Sequence, residues 1–255
     1  MIQVREHGQV AVVRLEHGKA NVIDVEFCRE VVRCLRELRA PAVIVTGRAS
    51  IFSAGVDLLR VLEEGPPYVR GFLSALDEFC DALFGFSRPL VAAVNGHAIA
   101  GGCVMACMAD HRIMARGDGR IGVPELLVGV PFPPAPLEVM RFAVPRRHLA
   151  QVLYGGRTYG PEAARERGLV EEVVEPDRLI ERSLDVAGRL ATVSGEAFRL
   201  TKAQLRAPAR ARIRAAGREF SAEIEAAWTA PETMAAIRDY VRRTFKKDTA
   251  SGGGE

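Results

Sequence analysis

The stretch of residues 95–106, Asn-Gly-His-Ala-Ile-Ala-Gly-Gly-Cys-Val-Met-Ala, limits what this chain can fold into more than any other part of it. It follows the apolar run of residues 90–94, which is too short for a helix and suits a buried strand. Small and apolar residues after it suit a buried helix. The pattern predicts a strand, a glycine-rich turn and a helix, and the free N–H groups of such a turn favour negative charge. A tight turn without a ligand is the alternative interpretation.

A second glycine-centred turn, residues 51–58, precedes this one. It comes after the apolar run 41–47, which reads as a buried strand, and a helical stripe over 69–83 separates the two turns. Strands that alternate with helices predict an α/β fold. Because neighbouring strands of such a sheet present their turns at one edge, we expect the two turns to face the same point.

The spacing of the glycines excludes two common ligands. Neither turn has the G-x-G-x-x-G pattern of dinucleotide sites or the G-K-[ST] pattern of phosphate loops. Two N–H-bearing turns at one point instead predict a pair of donors for a single oxygen, an oxyanion hole.

A single acid, Glu125, stands among apolar residues in the segment 121–130. Desolvation would raise the pKa of such a carboxyl and suit it to act as a base near neutral pH. Alternatively, Pro124 opens a short helix and Glu125 only occupies its positive end. The residues by themselves leave both interpretations open.

The flanking segments give simpler expectations. Residues 2–15 predict a hairpin, and Asp24 is placed to cap a helix. Residues 131–136, rich in proline, predict a stiff loop, and 169–174 predict a last strand. From Asp177 onward the pattern is helical, with apolar stripes that we expect to pack on the α/β core or on a neighbouring subunit, and Trp228 is interpreted as a packing residue.

Composition narrows the function classes. The net charge of +3 is too weak to indicate nucleic-acid binding, and no apolar run approaches a membrane span. The first residues lack the apolar core of a signal peptide, and five irregularly spaced cysteines indicate reduced thiols, so we expect a cytoplasmic protein. Cys103 and Cys107 share a helix face without a histidine or cysteine cluster, so we expect no metal.

Several segments, in order along almost the whole chain, resemble the crotonase superfamily, also called the enoyl-CoA hydratase/isomerase family. The segments that carry the resemblance are residues 52–58, 94–103, 110–113, 124–130, 156–164 and 168–170. The resemblance implies a spiral of ββα units over residues 1–190 and a helical packing or trimerisation region over 191–250. Independently of it, the terminal residues 251–255 are expected to form a disordered tail. The resemblance further implies a homotrimer or a dimer of trimers, with an acyl-CoA thioester as substrate and no separate cofactor.

The resemblance also implies roles for individual residues. The backbone N–H groups of Val56 and Gly101 would hold the thioester oxygen, and Glu125 would be catalytic. The acyl pocket would include Val104 and Phe132. The residues expected at the coenzyme A site are Lys19, Ala20, Ala54, Asp57 and Leu58.

One position departs from the pattern of the family's hydratases. The resemblance implies that those hydratases carry two glutamates. In this chain, the position of one is occupied by Glu125 and the position of the other by Val104. Valine has no polar atom to hold a water, whereas a single base suffices to move a proton. This pattern, together with the segment Val130-Pro131-Phe132, resembles the Δ3,Δ2-enoyl-CoA isomerases of fatty acid metabolism.

Other functions stay open at this point. The chain also fits an unusual hydratase that uses one glutamate, a thioesterase, or a non-catalytic acyl-CoA-binding protein. A pure binder has no need of a desolvated acid, so Glu125 favours an enzyme. The sequence leaves open whether His97 or His148 touches the substrate.

Overall fold

The chain begins with the hairpin that the sequence predicts. A computed structural model describes residues 2–251, with side chains as far as residue 244. Strands β1 (Ile2–His7) and β2 (Val10–Leu15) pair in antiparallel register, with Ile2 opposite Leu15. The polar residues of β1 lie exposed and the apolar residues of β2 lie buried, so β1 forms the edge of a sheet.

Four further strands extend this hairpin into a six-stranded sheet in the order β1-β2-β4-β7-β9-β12. They are β4 (Ala42–Thr46), β7 (Leu90–Val94), β9 (His111–Ala115) and β12 (Glu172–Val174), all parallel to their neighbours. β4 and β7 are buried along their whole length, as continuous apolar runs predict for a parallel sheet covered on both faces.

The last strand is shorter than the sequence predicts. Residues 169–174 were expected to be extended, but the N–H of Leu169 donates to Ala164 O at 2.9 Å and closes the turn after a helix. Only Glu172–Val174 remain to pair with β9.

A second, smaller sheet carries the glycine turns. Its order is β11-β10-β8-β5, with β5 (Ile51–Ser53), β8 (His97–Ile99), β10 (Ile121–Gly122) and β11 (Thr158–Tyr159). The short strands β3 (Val22–Ile23) and β6 (Gly55–Val56) pair beside it.

The expectation that the turn leads directly from the strand at 90–94 into a helix is wrong in one respect. Strand β8 intervenes, because Asn95 turns the chain away from the large sheet. Its side chain accepts from Gly47 N at 2.8 Å and donates to Ala49 O at 2.8 Å, and His97 N donates to Ser50 O at 2.8 Å. The glycine turn therefore belongs to the small sheet.

Helices cover both faces of the large sheet. On the inner face lie α1 (Val25–Glu37) and α2 (Leu58–Phe84), and α2 is kinked at Gly65. The predicted cap is confirmed, since Phe27 N donates to Asp24 Oδ1 at 2.7 Å. On the outer face, α8 (Leu179–Ala191) packs on β4 and β7 through Val186 and Ala187.

Shorter helices connect the sheets. They are α3 (Gly101–Cys107), α4 (Glu125–Val128), α5 (Pro134–Ala143), α6 (Arg146–Gly155) and α7 (Pro161–Glu166). The predicted loop at 131–136 is shorter than expected, because α5 already begins at Pro134. Proline is tolerated in the first turn of a helix, where its missing N–H has no partner to lose.

The C-terminal region consists of α9 (Gly195–Thr229) and α10 (Pro231–Ser251), which fold back onto the same chain. Helix α9 packs on α2 and α5, and α10 packs on α2 and α4. The expected division at 190/191 falls at the end of α8. Of the expected tail at 251–255, Ser251 ends α10, and residues 252–255 lie outside the described residues. No helix within residues 2–251 combines the length and apolarity that a membrane crossing requires.

Candidate active site

A pocket of about 740 Å³, open to solvent at its mouth, lies between the two glycine turns and the C-terminal helices. The turns contribute Val56 and Gly101, and α2 contributes Leu76 and Cys80. The remaining wall comes from α3, from the segment 124–136 and from α9 and α10. Among the residues that line this pocket in the described part of the chain, Glu125 is the one that carries a carboxylate.

The two glycine turns touch each other. They follow β5 and β8, which are parallel neighbours, so both leave the small sheet at the same edge. A side chain at Gly55 would begin 3.1 Å from Gly101 N and 2.6 Å from Ile99 O, and one at Gly102 would begin 2.3 Å from Ser53 O. Only glycine allows this approach, and Gly55 also has a φ of +84°. The expected convergence of the turns is present.

Gly101 begins α3, and the geometry just before it is strained. Ala100 has φ 53° and ψ −123°, a conformation that residues with a side chain rarely adopt. Hydrogen bonds hold it on both sides: Ala100 N donates to Gly122 O at 2.8 Å, and Val104 N donates to Ala100 O at 3.1 Å. As the first residue of the helix, Gly101 has no intrahelical acceptor for its N–H, and this residue lines the pocket together with Val56.

Glu125 begins the short helix α4, directly after Pro124, and also lines the pocket. Its position is therefore compatible with both interpretations of Glu125, as a base in a pocket and as an acid at the positive end of a short helix. Its Oε2 atom is buried, and no group in the described part of the chain donates a hydrogen bond to it. Burial raises the pKa of Glu125 to about 8. A carboxyl with such a pKa can accept and return a proton near neutral pH.

The two residues expected in the acyl pocket, Val104 and Phe132, both line this cavity. Val104 is 2% exposed and Phe132 is 9% exposed. Val104 lies on α3, one turn after Gly101, so an apolar surface occupies the position where a second acid would stand. The walls around Glu125 offer no second carboxylate among the described residues.

The residues expected at the coenzyme A site divide into two groups. Ala54 and Leu58 line the pocket. Ala20 lies beside them, since Ala54 N donates to Ala20 O at 2.9 Å, but it does not line the cavity. Lys19 is exposed, and Asp57 caps α2 by accepting from Arg60 N at 3.0 Å. The structure thus brings Ala54 and Leu58 to the pocket and leaves Lys19, Ala20 and Asp57 outside its lining.

Two aromatic residues of the C-terminal helices reach the pocket although no sequence pattern placed them there. Trp228 and Tyr240 both line it. Trp228 is 2% exposed, its Nε1 donates to Pro131 O at 3.0 Å, and its ring lies 6.4 Å from that of Phe72. The interpretation of Trp228 as a packing residue is correct but incomplete. Its apolar stripe predicted burial, and no local pattern indicated which cavity it would reach.

Other candidate residues lie elsewhere. His97 belongs to β8, and His148 Nε2 accepts from Arg147 Nε at 3.0 Å on α6; neither histidine lines the pocket. Cys103 and Cys107 are buried free thiols. Within the described chain, no group of three histidine, cysteine or acidic side chains is arranged to hold a metal ion.

Comparisons with known proteins agree with this arrangement. Rat mitochondrial enoyl-CoA delta isomerase 1 is 29% identical over 213 residues, which make up 80% of this chain and 74% of that protein. A putative enoyl-CoA hydratase of Thermus thermophilus is 32% identical over 210 residues, 79% of this chain and 82% of that protein. The crystal structure of human mitochondrial Δ3-Δ2-enoyl-CoA isomerase matches with a TM-score of 0.91 and 25% identity, covering 96% of this chain and 98% of that one.

The chain also matches a sequence model of a whole protein family. The family model described as enoyl-CoA hydratase/isomerase matches residues 5–243, nearly the full length of the chain. The fold, with its parallel sheets and C-terminal helices, is the one that the sequence resemblance implied. The chain therefore belongs to the enoyl-CoA hydratase/isomerase (crotonase) family, whose members act on acyl-CoA substrates.

Proposed function

We propose that this protein is an enoyl-CoA isomerase that converts 3-enoyl-CoA into 2-enoyl-CoA. The observation that carries the proposal is the lone buried carboxyl of Glu125 in a pocket whose facing residues, Val104 among them, are apolar. Moving a double bond requires one group that takes and returns a proton. Adding water requires, in addition, a group that holds the water, and the described lining offers no second carboxylate for this role.

In the proposed reaction, the Glu125 carboxylate takes a proton from C2 of the substrate. The electron pair of that C–H bond becomes part of a dienolate, whose negative charge rests largely on the thioester oxygen. The N–H groups of Val56 and Gly101 stabilise this oxygen, and losing one such donor typically lowers a rate by about 10²–10³-fold. The protonated Glu125 then returns the proton to C4, which leaves the double bond between C2 and C3.

The remainder of the site binds the thioester. We propose that Ala54 and Leu58, which line the pocket, contact the coenzyme A moiety, together with Asp57 beside Leu58 and with Lys19 and Ala20 of the loop that Ala54 N contacts through Ala20 O. The coenzyme A is part of the substrate, so the proposal needs no separate cofactor. The proposed assembly is a homotrimer or a dimer of trimers.

Matched 3-enoyl-CoA and 2-enoyl-CoA thioesters test this proposal. We expect the purified protein to convert the 3-enoyl compound and Glu125→Gln to abolish this turnover, while acyl-CoA binding persists in the variant. A protein that converts no 3-enoyl-CoA of any chain length, or a Glu125→Gln variant with near-normal activity, would contradict it.

A hydratase that uses one glutamate is the second candidate. Two similar proteins, from Thermus thermophilus and from Rhizobium meliloti, bear the names putative and probable enoyl-CoA hydratase, and their identities of 32% and 29% are no lower than that of the rat isomerase. The same assay decides between the candidates, because a hydratase would consume the 2-enoyl-CoA and form a 3-hydroxyacyl-CoA.

A further inference from the structure

One buried hydroxyl lies where the two glycine turns and the segment before α1 meet. It belongs to Ser53, the completely buried last residue of β5. A side chain at Gly102 would begin 2.3 Å from Ser53 O and 2.9 Å from Ser53 Cβ, so Ser53 contacts the turn that carries Gly101. Ser53 also begins the other turn, on which Gly55 and Val56 follow. It therefore adjoins both segments that supply the proposed oxyanion donors.

The hydroxyl of Ser53 joins two backbone groups. Ser53 Oγ donates to Asn21 O at 2.7 Å and accepts from Gly55 N at 3.2 Å. Because Gly55 has a φ of +84° and no side chain, its backbone can rotate more readily than that of other residues. The hydrogen bond from Gly55 N to the hydroxyl opposes this rotation.

Asn21 gives this hydroxyl a fixed partner. It is buried and has a φ of 48°, a left-handed conformation that asparagine adopts more readily than most residues. Its Nδ2 donates to Leu15 O and to Phe52 O, both at 3.1 Å, and its Oδ1 accepts from His17 N at 2.8 Å. Three side-chain hydrogen bonds therefore fix the residue whose carbonyl accepts from Ser53.

The direction of the Val56 N–H depends on the groups on either side of it. Strands β3 and β6 are parallel, with Ile23 in register with Val56, and Asp57 N donates to Ile23 O at 3.2 Å. Successive N–H groups of a strand point to opposite sides, so the N–H of Val56 points away from β3. Its two flanking peptide groups are held, one by Ser53 Oγ through Gly55 N and the other by Ile23 O.

We infer that Ser53 is a positioning residue of the oxyanion hole, which acts by fixing the direction of the Val56 N–H. The inference rests on the proposed function in that Val56 and Gly101 hold the thioester oxygen. Ser53 itself does not line the pocket and so acts through its neighbours. Without the hydroxyl, Gly55 gains freedom to rotate, and the N–H of Val56 is aligned with the thioester oxygen for less of the time. A hydrogen bond weakens steeply as its donor turns out of line.

The variant Ser53→Ala tests this inference through the infrared carbonyl stretch of bound hexanoyl-CoA that carries carbon-13 in its thioester carbonyl. Aligned donors polarise a carbonyl and move its stretch below that of the free thioester. We expect this shift in the unaltered protein and at most about half of it in Ser53→Ala. We also expect kcat for 3-enoyl-CoA to fall about tenfold or more and KM to change less than about threefold, because the donors act mainly on the charged enolate.

Ser183→Ala is the matched control, since it removes the same atom from another completely buried serine. Ser183 Oγ donates to Leu179 O at 2.8 Å within α8, on the outer face of the large sheet. We expect this variant to lose stability as Ser53→Ala does, because each loses one buried hydroxyl. We expect its carbonyl stretch and its kcat to equal those of the unaltered protein.

Ser53→Cys is a second variant, because a thiol is of similar size but is a weaker donor and acceptor than a hydroxyl. We expect its carbonyl shift to lie between those of the unaltered protein and Ser53→Ala. A full shift in either Ser53 variant, or an equal loss in Ser183→Ala, would overturn the inference and leave the oxyanion hole standing. A carbonyl stretch in the unaltered protein that equals that of free thioester would refute the oxyanion hole itself, and the inference with it.

Discussion

Glu125 owes its chemical character to burial rather than to a charged neighbour. Desolvation is the main cause of its raised pKa, and hydrogen bonding to its own backbone opposes the shift only in part. Other buried carboxylates of the chain have cationic partners: Glu138, for instance, accepts from Arg212 Nε at 2.7 Å. A buried acid without a cationic partner destabilises the fold in its charged form, which is typical of a group retained for chemistry.

The activity should therefore depend on pH through Glu125. With a pKa of about 8, the carboxyl is mostly protonated at neutral pH and cannot accept a proton in that form. We expect kcat/KM for 3-enoyl-CoA to rise about tenfold per pH unit below about 8 and to level off above it. The measurement is a pH profile of kcat/KM, and a flat profile between pH 5 and about 8 would contradict the assignment.

Protein stability provides a control for this pKa. The folded pKa of Glu125 lies above the ordinary value of 4.5 for such a carboxyl, so between the two values the folded state holds a proton that the unfolded state has lost. The contribution of Glu125 to the free energy of unfolding is therefore lost as pH rises from about 4.5 to about 8. Glu125→Gln removes this dependence, and a variant whose stability falls with pH as steeply as that of the unaltered protein would contradict the shift.

At the scale of elements, α9 is tied to the sheet by a buried ion cluster. Asp110, between α3 and β9, accepts from Lys202 Nζ at 2.6 Å and from Arg206 at 2.7 Å. Lys202 also donates to Arg88 O at 3.0 Å, and Arg206 donates to Phe84 O at 2.7 Å. The cluster fixes the helix that carries Trp228 into the pocket.

Asp110→Asn should destabilise the protein strongly, because it leaves two buried cations without a carboxylate. Removing one partner of a buried charge pair typically costs about 3–5 kcal/mol of the free energy of unfolding, which urea titration measures. Asp81→Asn is the matched control. Asp81 of α2 pairs with Arg210, which lies on α9 like Lys202 and Arg206, but Asp81 is 71% exposed. We therefore expect the free energy of unfolding to change by less than about 1 kcal/mol. Equal effects of the two substitutions would show that the buried cluster does not hold α9.

Lys202 adds a pH dependence to this element. Burial lowers its pKa from 10.5 to about 8, so between these values the unfolded state binds more protons than the folded one. The contribution of Lys202 to stability therefore increases as pH rises through this window. The loss caused by Asp110→Asn is expected to shrink in the same range, since Lys202 can shed its uncompensated charge.

At the scale of the whole molecule, the pocket is closed by helices that are distant in sequence from the turns. Trp228 is the single tryptophan of the chain and forms part of the pocket wall, so it should report on ligand binding. We expect acyl-CoA to change the tryptophan fluorescence with saturation, and free coenzyme A to change it much less. An emission spectrum that does not respond to saturating acyl-CoA would contradict this placement.

Much of this organisation follows from local patterns. The hairpin, the buried strands at 42–46 and 90–94 and the cap at Asp24 were predictable because period, length and capping chemistry are encoded in neighbouring residues. Strand β8 was not, since its hydrogen bonds go to residues distant in sequence: His97 N donates to Ser50 O, and Ala98 N donates to Arg120 O. The early start of α5 was missed because a run of prolines looks like a loop while its first turn tolerates them.

The sequence by itself determined the family, the two glycine turns and the presence of a single acid at Glu125 opposite an apolar Val104. These depend on residue identity and order, which the printed chain contains. Only the tertiary structure decided that the turns touch at Gly55 and Gly101 and that Oε2 of Glu125 is buried without a donor. It alone decided that Trp228 reaches the pocket and that the hydroxyl of Ser53 bonds to Asn21 O, because burial and proximity arise from packing between distant segments.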